Sequence, residues 1–155
     1  MRRTKPIKRE VPPDFRYQNV TVQSFINHIM TRGKKSTASR NLYGAFDIIQ
    51  DKTGKNPIEV FEQALKNVGP LMEVRPRRVG GATYQVPMEV PADRRITLAF
   101  RWLIDSARAR TGNSFSEKLS AEFMEAAANQ GSAVRKRDET HKMAEANRAF
   151  SHFRL

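Results

Sequence analysis

Two adjacent glycines, Gly80 and Gly81, constrain this chain more than any other feature. They lie at the centre of Met72 to Val90, the one stretch where the apolar period falls towards two; on both sides the pattern is helical. A Gly-Gly pair between β-compatible residues signals a two-residue hairpin, because primed turns need positive φ. That turn predicts hydrogen-bonded pairs of Val79 with Ala82, Arg77 with Tyr84, Arg75 with Val86 and Glu73 with Met88. Pro76 and Pro87 then fall at non-hydrogen-bonded positions, where a missing N–H costs nothing. One face carries Arg75 and Arg77 among Val79, Tyr84, Val86 and Met88; the other carries Arg78, Thr83, Gln85 and the prolines. Neither face is cleanly apolar, so the ribbon does not lie flat on a core, and a lone ribbon needs support. Two readings stand: an edge protected by charge, or an arm that reaches into a polyanion.

Charge favours the second reading. The 28 Lys and Arg residues against 16 Asp and Glu give a net charge of +12 and a pI near 10.6. Such an excess attracts nucleic acid or acidic membrane. The length of 155 residues suits one domain. The chain contains no cysteine, which excludes disulfides, thiolate metal sites and cysteine nucleophiles. No apolar run approaches the roughly 20 residues of a membrane span, and the basic N-terminus lacks the apolar segment of a secretory signal.

In chain order, Met1 to Val11 reads as a disordered basic arm with Arg2, Arg3, Lys5, Lys8 and Arg9. It is either a solvated tail or a segment that orders on phosphates. Asp14 closes it after Pro12 and Pro13, with Phe15 and Tyr17 expected to pin the chain. A first helix is expected over Thr21 to Arg32, from the spacing of Val22, Phe25, Ile26, Ile29 and Met30, with Gly33 as its stop. Lys34, Lys35 and Ser36 form a basic turn into a second helix with Leu42, Ala45, Phe46 and Ile49 inward, ending at Gly54. Asn56, Pro57 and Glu59 carry the start signals of a third. It buries Phe61, Ala64, Leu65 and Val68 and ends at Gly69-Pro70.

After the ribbon, Asp93 is expected to cap a fourth helix reaching about Arg110, with Ile96, Ala99, Phe100, Leu103 and Ala107 inward. Arg94, Arg101 and Arg108 recur at seven-residue spacing nearly opposite, as a solvated face or a nucleic-acid face; Trp102 reads as the edge of the core. Ser114 and Glu117 form a capping box for a fifth helix with Leu119, Phe123, Ala126 and Ala127 inward, stopped by Gly131. The sixth starts at Ser132. Its expected apolar face, Ala146, Ala149, Phe150 and Phe153, occupies only the last turns, so its basic first half, from Arg135 to Lys142, is expected to project. The fold class is therefore mainly α, a bundle of about six helices with one inserted, protruding two-stranded ribbon at about residues 72–90. The single domain spans 12–155.

Catalytic patterns are missing. Gly33-Lys34-Lys35-Ser36 lacks the upstream glycine and preceding strand of a phosphate-binding loop. His28, His141 and His152 have no partners at metal-ligand spacing; on one helix, His141 and His152 would stand about 16 Å apart. Gly80-Gly81 is not followed by a helix, so it is no dinucleotide fingerprint. Composition and pattern leave three classes open: an RNA-binding protein, an architectural DNA binder with an arginine ribbon, and a nucleic-acid-processing enzyme.

Longer motifs add a resemblance that covers essentially the whole chain. Arg77 to Pro87 and Thr140 to Phe150 resemble the ribbon and last helix of the bacterial-type small-subunit ribosomal protein seven family. Gly33 to Ser36, Asn56 to Ala64 and Leu98 to Leu103 match in the same order. The resemblance implies a helical protein with a ribbon and no enzymatic activity. Its implied role is primary binding of small-subunit rRNA, nucleating assembly of the 3′ major (head) domain near the exit-site tRNA and mRNA path. The implied partners are that rRNA, exit-site tRNA and mRNA, and neighbouring small-subunit proteins, with no cofactor, no metal, no small-molecule substrate and no membrane. The implied rRNA contacts are Arg2, Arg3, Lys5, Lys8, Arg9, Lys34, Lys35, Arg75, Arg77, Arg78, Arg94, Arg95 and Arg101. Gly80, Gly81, Ala82, Tyr84, Lys142 and Arg148 are implied to lie near tRNA. The implied location is the cytoplasmic small ribosomal subunit, with a plastid ribosome as the alternative.

Overall fold

A computed structural model describes residues 10–153 of the chain. The cationic residues of the N-terminal arm, Arg2, Arg3, Lys5, Lys8 and Arg9, lie outside the described residues. Among those described are α1 (Val20–Ile29), α2 (Lys35–Thr53), α3 (Pro57–Val68), β1 (Met72–Val79), β2 (Ala82–Glu89), α4 (Ala92–Ala109), α5 (Phe115–Ala127), α6 (Ser132–Ala146) and a 3₁₀ helix (Arg148–Phe153). The fold is mainly helical, with one antiparallel ribbon inserted between helices. The chain forms two compact units, Met1–Arg40 and Asn41–Leu155, and α2 runs from the first into the second.

The first unit starts from a buried carboxylate. Asp14 accepts the backbone N–H groups of Arg16, Tyr17 and Asn19 at 3.0, 2.9 and 2.9 Å. Asn19 caps α1 in turn, accepting from the N–H groups of Thr21 and Val22. The expected aromatic pin is corrected: Phe15 is 94% exposed, and Asp14 closes the turn instead. Tyr17 is half-buried, with the Arg16 guanidinium 5.2 Å from its ring centroid. Val22, Phe25, Ile26 and Ile29 are buried as the spacing predicted. The helix stops at Ile29 rather than Arg32, because Met30 turns extended and Arg32 and Gly33 both take positive φ.

The second unit is built on three fully buried rings. Phe46 of α2, Phe61 of α3 and Phe123 of α5 meet with centroids 5.3–6.2 Å apart. Edge-on and tilted contacts of this kind add to the burial of large apolar area. Leu42, Ile49, Val68, Phe100, Leu103 and Leu119 complete the core, and α5 lies against both α3 and α4. Leu65 and Ala127 are only half-buried.

Local start signals decided the helix beginnings in two cases. The Asn56 side chain accepts from Ile58 N–H at 3.0 Å, although Glu59 returns its bond to the Asn56 side-chain amide rather than to the backbone. Ser114 and Glu117 form the full capping box. Three other expectations need correction. Pro91, not Asp93, occupies the cap position of α4; Asp93 lies in the first turn, where a carboxylate suits the helix dipole. Ile96 is 45% exposed because the buried stripe of α4 begins at Ala99 and takes in Ile104 instead.

 The stop after α5 is Asn129 (φ +59), whose N–H bonds Ala126 while that of Gln130 bonds Glu125, the paired bonds of a Schellman turn. Gly131 (φ +91) stands instead at the start of α6, where the positive φ strains any other residue and an added Cβ would lie 3.0 Å from the Glu125 carboxylate.

The largest correction concerns α6. Its first turn is docked, with Ala133 and Val134 buried, and Ala144 is buried further along, whereas Ala146 and Ala149 are exposed. Arg137 turns inward and donates to the Asn67 carbonyl and to Asn129 Oδ1, and the Asn67 amide donates to the carbonyls of Ala126 and Ala127. The basic first half therefore staples the ends of α3 and α5 together rather than projecting. A helical face of three small apolar residues, Ala133, Val134 and Ala144, is easily overlooked in sequence, and long polar side chains add to the attachment.

The ribbon has the register that the glycines and prolines predicted, including Arg75 opposite Val86 and Arg77 opposite Tyr84. Gly80 (φ +58) and Gly81 (φ +88) both take the positive φ of a type I′ turn. Val86, Pro87 and Glu73 are buried at its base, while most of the outer half is exposed. Support comes from α6 against β1 and from the 3₁₀ helix against β2. Tyr84 stacks on Phe150 and Phe153, with centroids 5.4 and 5.1 Å apart. His141 of α6 fastens the base by accepting the Leu71 N–H at Nε2, 3.0 Å away.

Candidate nucleic-acid interface

Among the described residues, the implied contact residues divide into cations held by the protein and cations left open. Glu73 lies in β1, is 7% exposed, and organises the held set. Arg75 donates from Nε to Glu73 Oε1 at 2.5 Å, and Arg94 of α4 donates from Nε to both carboxylate oxygens at 2.8 and 2.9 Å. Burial pushes the Glu73 carboxyl up, but the hydrogen bonds and charges of Arg94 and Arg75 outweigh it and hold the group below its usual range. Arg95 is half-buried and donates from Nε to the Gly69 carbonyl at 3.2 Å. A Cβ on residue 69 would stand 2.9 Å from the Arg95 side chain, so glycine serves close approach here; its φ of −64° is ordinary.

The open set is spread over several elements. Arg78 on β1 and Arg101 on α4 are exposed, and Arg77 is half-buried. In the first unit, Lys34 and Lys35 are exposed where α2 begins. Among the described residues, none of these five side chains makes a hydrogen bond or ion pair. Each can meet a phosphate without first giving up a protein partner.

The six residues implied to lie near tRNA do not form one cluster of like chemistry. Gly80, Gly81 and Ala82 form the exposed turn, where small residues permit close approach of a ligand. Tyr84 is half-buried in its aromatic stack, so it anchors the ribbon to the C-terminal 3₁₀ helix. Lys142 is exposed on α6; Arg148 is exposed and lies 3.5 Å from Glu145. Glu73 is the residue that sequence reading passed over. A usable signal was present, because Glu73 and Arg75 stand two apart on one strand and therefore share a face.

Comparison with known proteins finds similarity along nearly the whole chain. A family profile described as Ribosomal protein S7p/S5e matches residues 1–148. The chain is 56% identical over 153 residues to the small ribosomal subunit protein uS7 of Thermomicrobium roseum, covering 99% of this chain and 98% of the relative. It is 58% identical over 155 residues to the uS7 protein of Caldanaerobacter subterraneus, covering 99% of each. The uS7 protein of Methylobacterium radiotolerans is 59% identical over 153 residues, covering 99% of this chain and 98% of the relative.

Proposed function

The chain belongs to the S7p/S5e family of ribosomal proteins, structural and non-enzymatic, and from that premise we propose that it is a primary binder of small-subunit rRNA. Its RNA partner is the 3′ major domain, whose assembly it nucleates, and its ribbon turn approaches exit-site tRNA and mRNA. Neighbouring small-subunit proteins complete its surroundings, in a bacterial-type cytoplasmic ribosome. Residues 12–155 act as the RNA-binding domain, with 1–11 as a basic arm.

The observation that supports this most is the dispersal of open cations over a ribbon, a helix face and a helix start. Folded RNA is recognised by shape, phosphates and 2′-hydroxyls, which suits several separate basic elements better than one base-reading helix. Neutralising roughly 6–10 phosphates makes affinity fall by about 10³–10⁵ between low and moderate salt, on the duplex-DNA scale. The test is binding to a 3′ major-domain transcript across a salt series, with duplex DNA competing. Binding that survives excess duplex is expected; binding that duplex abolishes overturns the reading and favours an architectural DNA binder. Changing Arg77 and Arg78 together to Ala should weaken binding without loss of fold.

A further inference from the structure

Glu73 brings together two cations that would otherwise repel. Arg94 also lies in the first turn of α4, where the helix dipole disfavours a positive charge. The buried carboxylate overrides both effects by binding each guanidinium through Nε. The Arg75 and Arg94 side chains nevertheless stay 44% and 48% exposed. Among the described residues, the Nη1 and Nη2 groups of both arginines make no hydrogen bond. One carboxylate against two guanidiniums leaves a local charge of +1. The result is a pair of forks fixed at the inner end and open at the outer one. Guanidinium forks match phosphate oxygens, and fixing the side chains beforehand removes much of the entropy lost on binding.

We propose that Arg75 and Arg94 form one preassembled site for a backbone phosphate of RNA, with Glu73 as its positioning residue. The inference rests on the RNA-binding reading and adds a role for an acidic residue within it. It also makes a prediction of opposite sign to simple electrostatics. If Glu73 were only a nearby negative charge, removing it would raise the net charge by one and tighten RNA binding. As a positioning residue, its loss frees two guanidiniums to move apart and weakens binding.

The experiment compares the full chain with Glu73→Gln on the 3′ major-domain transcript at fixed salt, with circular dichroism and thermal melting to verify the fold. A folded variant should bind about tenfold more weakly, the scale of one charge-assisted hydrogen bond. Equal or tighter binding by the folded variant overturns the proposal. Should Glu73→Gln fail to fold, the double variant Arg75→Lys with Arg94→Lys decides, since it keeps both charges and removes both forks. A loss of about tenfold again supports the site; unchanged affinity overturns it. Wild-type protein that does not bind the transcript overturns the RNA reading and this inference together, whereas normal wild-type binding with unaffected variants overturns this inference alone.

Discussion

Replacing Glu122 by Ala should cost far more stability than replacing its neighbour Glu125, although both bind Arg110. Arg110 donates from Nε to Glu122 Oε2 at 2.6 Å and through its terminal nitrogens to both oxygens of Glu125. The bonds that Arg110 donates to Glu125 come first among the causes that hold its guanidinium above its ordinary value; burial opposes them and Glu122 adds to them. Stability follows a different ranking, because the Glu122 side chain is fully buried and that of Glu125 is 44% exposed. Glu122 also accepts the Ala133 N–H at 3.0 Å, where Ala133 is itself fully buried. Breaking a buried ion pair costs about 3–5 kcal/mol, and Glu125 keeps that part near the lower end by continuing to bind Arg110. The orphaned N–H of Ala133 contributes a further cost of about 1–3 kcal/mol. We therefore expect about 4–6 kcal/mol for Glu122→Ala, and less than about 1 kcal/mol for Glu125→Ala. Urea denaturation at neutral pH, followed by circular dichroism, reads both. A Glu125→Ala loss equal to or larger than that of Glu122→Ala would refute the reasoning. A second check is Arg110→Met with Glu122→Leu, which removes both charges and should recover part of the Glu122→Ala loss.

Three further outcomes follow from contacts elsewhere. Tyr84→Ala removes two ring contacts worth about 0.5–1.5 kcal/mol each, so amide exchange in β1 and β2 should accelerate by one to two orders of magnitude; unchanged protection would show that the stack does not hold the ribbon. Asp14→Ala leaves three backbone N–H groups without their acceptor and should expose the amides of Arg16, Tyr17 and Asn19 to exchange, whereas Phe15→Ala should leave stability within about 0.5 kcal/mol. His141 must be neutral at Nε2 to accept the Leu71 N–H, and burial first, then the Arg137 charge, lowers its pKa against an opposing effect of Asp138. A lowered folded pKa means that this stabilisation is present above the unfolded value of about 6.5 and is lost as pH falls through the folded one. Stability should therefore drop between pH 7.5 and 5.5 by more in the wild type than in His141→Gln; equal drops would remove His141 from the explanation.

The ribbon was legible because its determinants are local. Two positive-φ glycines set the turn, and strict alternation carried the register eight pairs back to Met72 and Glu89. Helix starts at Asn56 and Ser114 were legible for the same reason, as a cap bond spans two or three residues. Ile96 and α6 were misread because periodicity assigns residues to a face without saying how far along that face a neighbour reaches. The candidate contacts were named individually from the resemblance, yet their division into held and open cations was not visible.

What the amino-acid order determined by itself was therefore the sequence of elements, the ribbon register, the apolar faces of α2, α3 and α5, and a net positive charge that attracts polyanions. Tertiary structure decided which charges are committed. Arg94 reaches Glu73 across 21 residues, Arg137 reaches Asn67 across 70, and Leu71 finds His141 across 70. Long side chains have many partners within reach along an unfolded chain. Only packing, which removes water from one carboxylate or carbonyl and leaves another solvated, makes a particular pairing favourable.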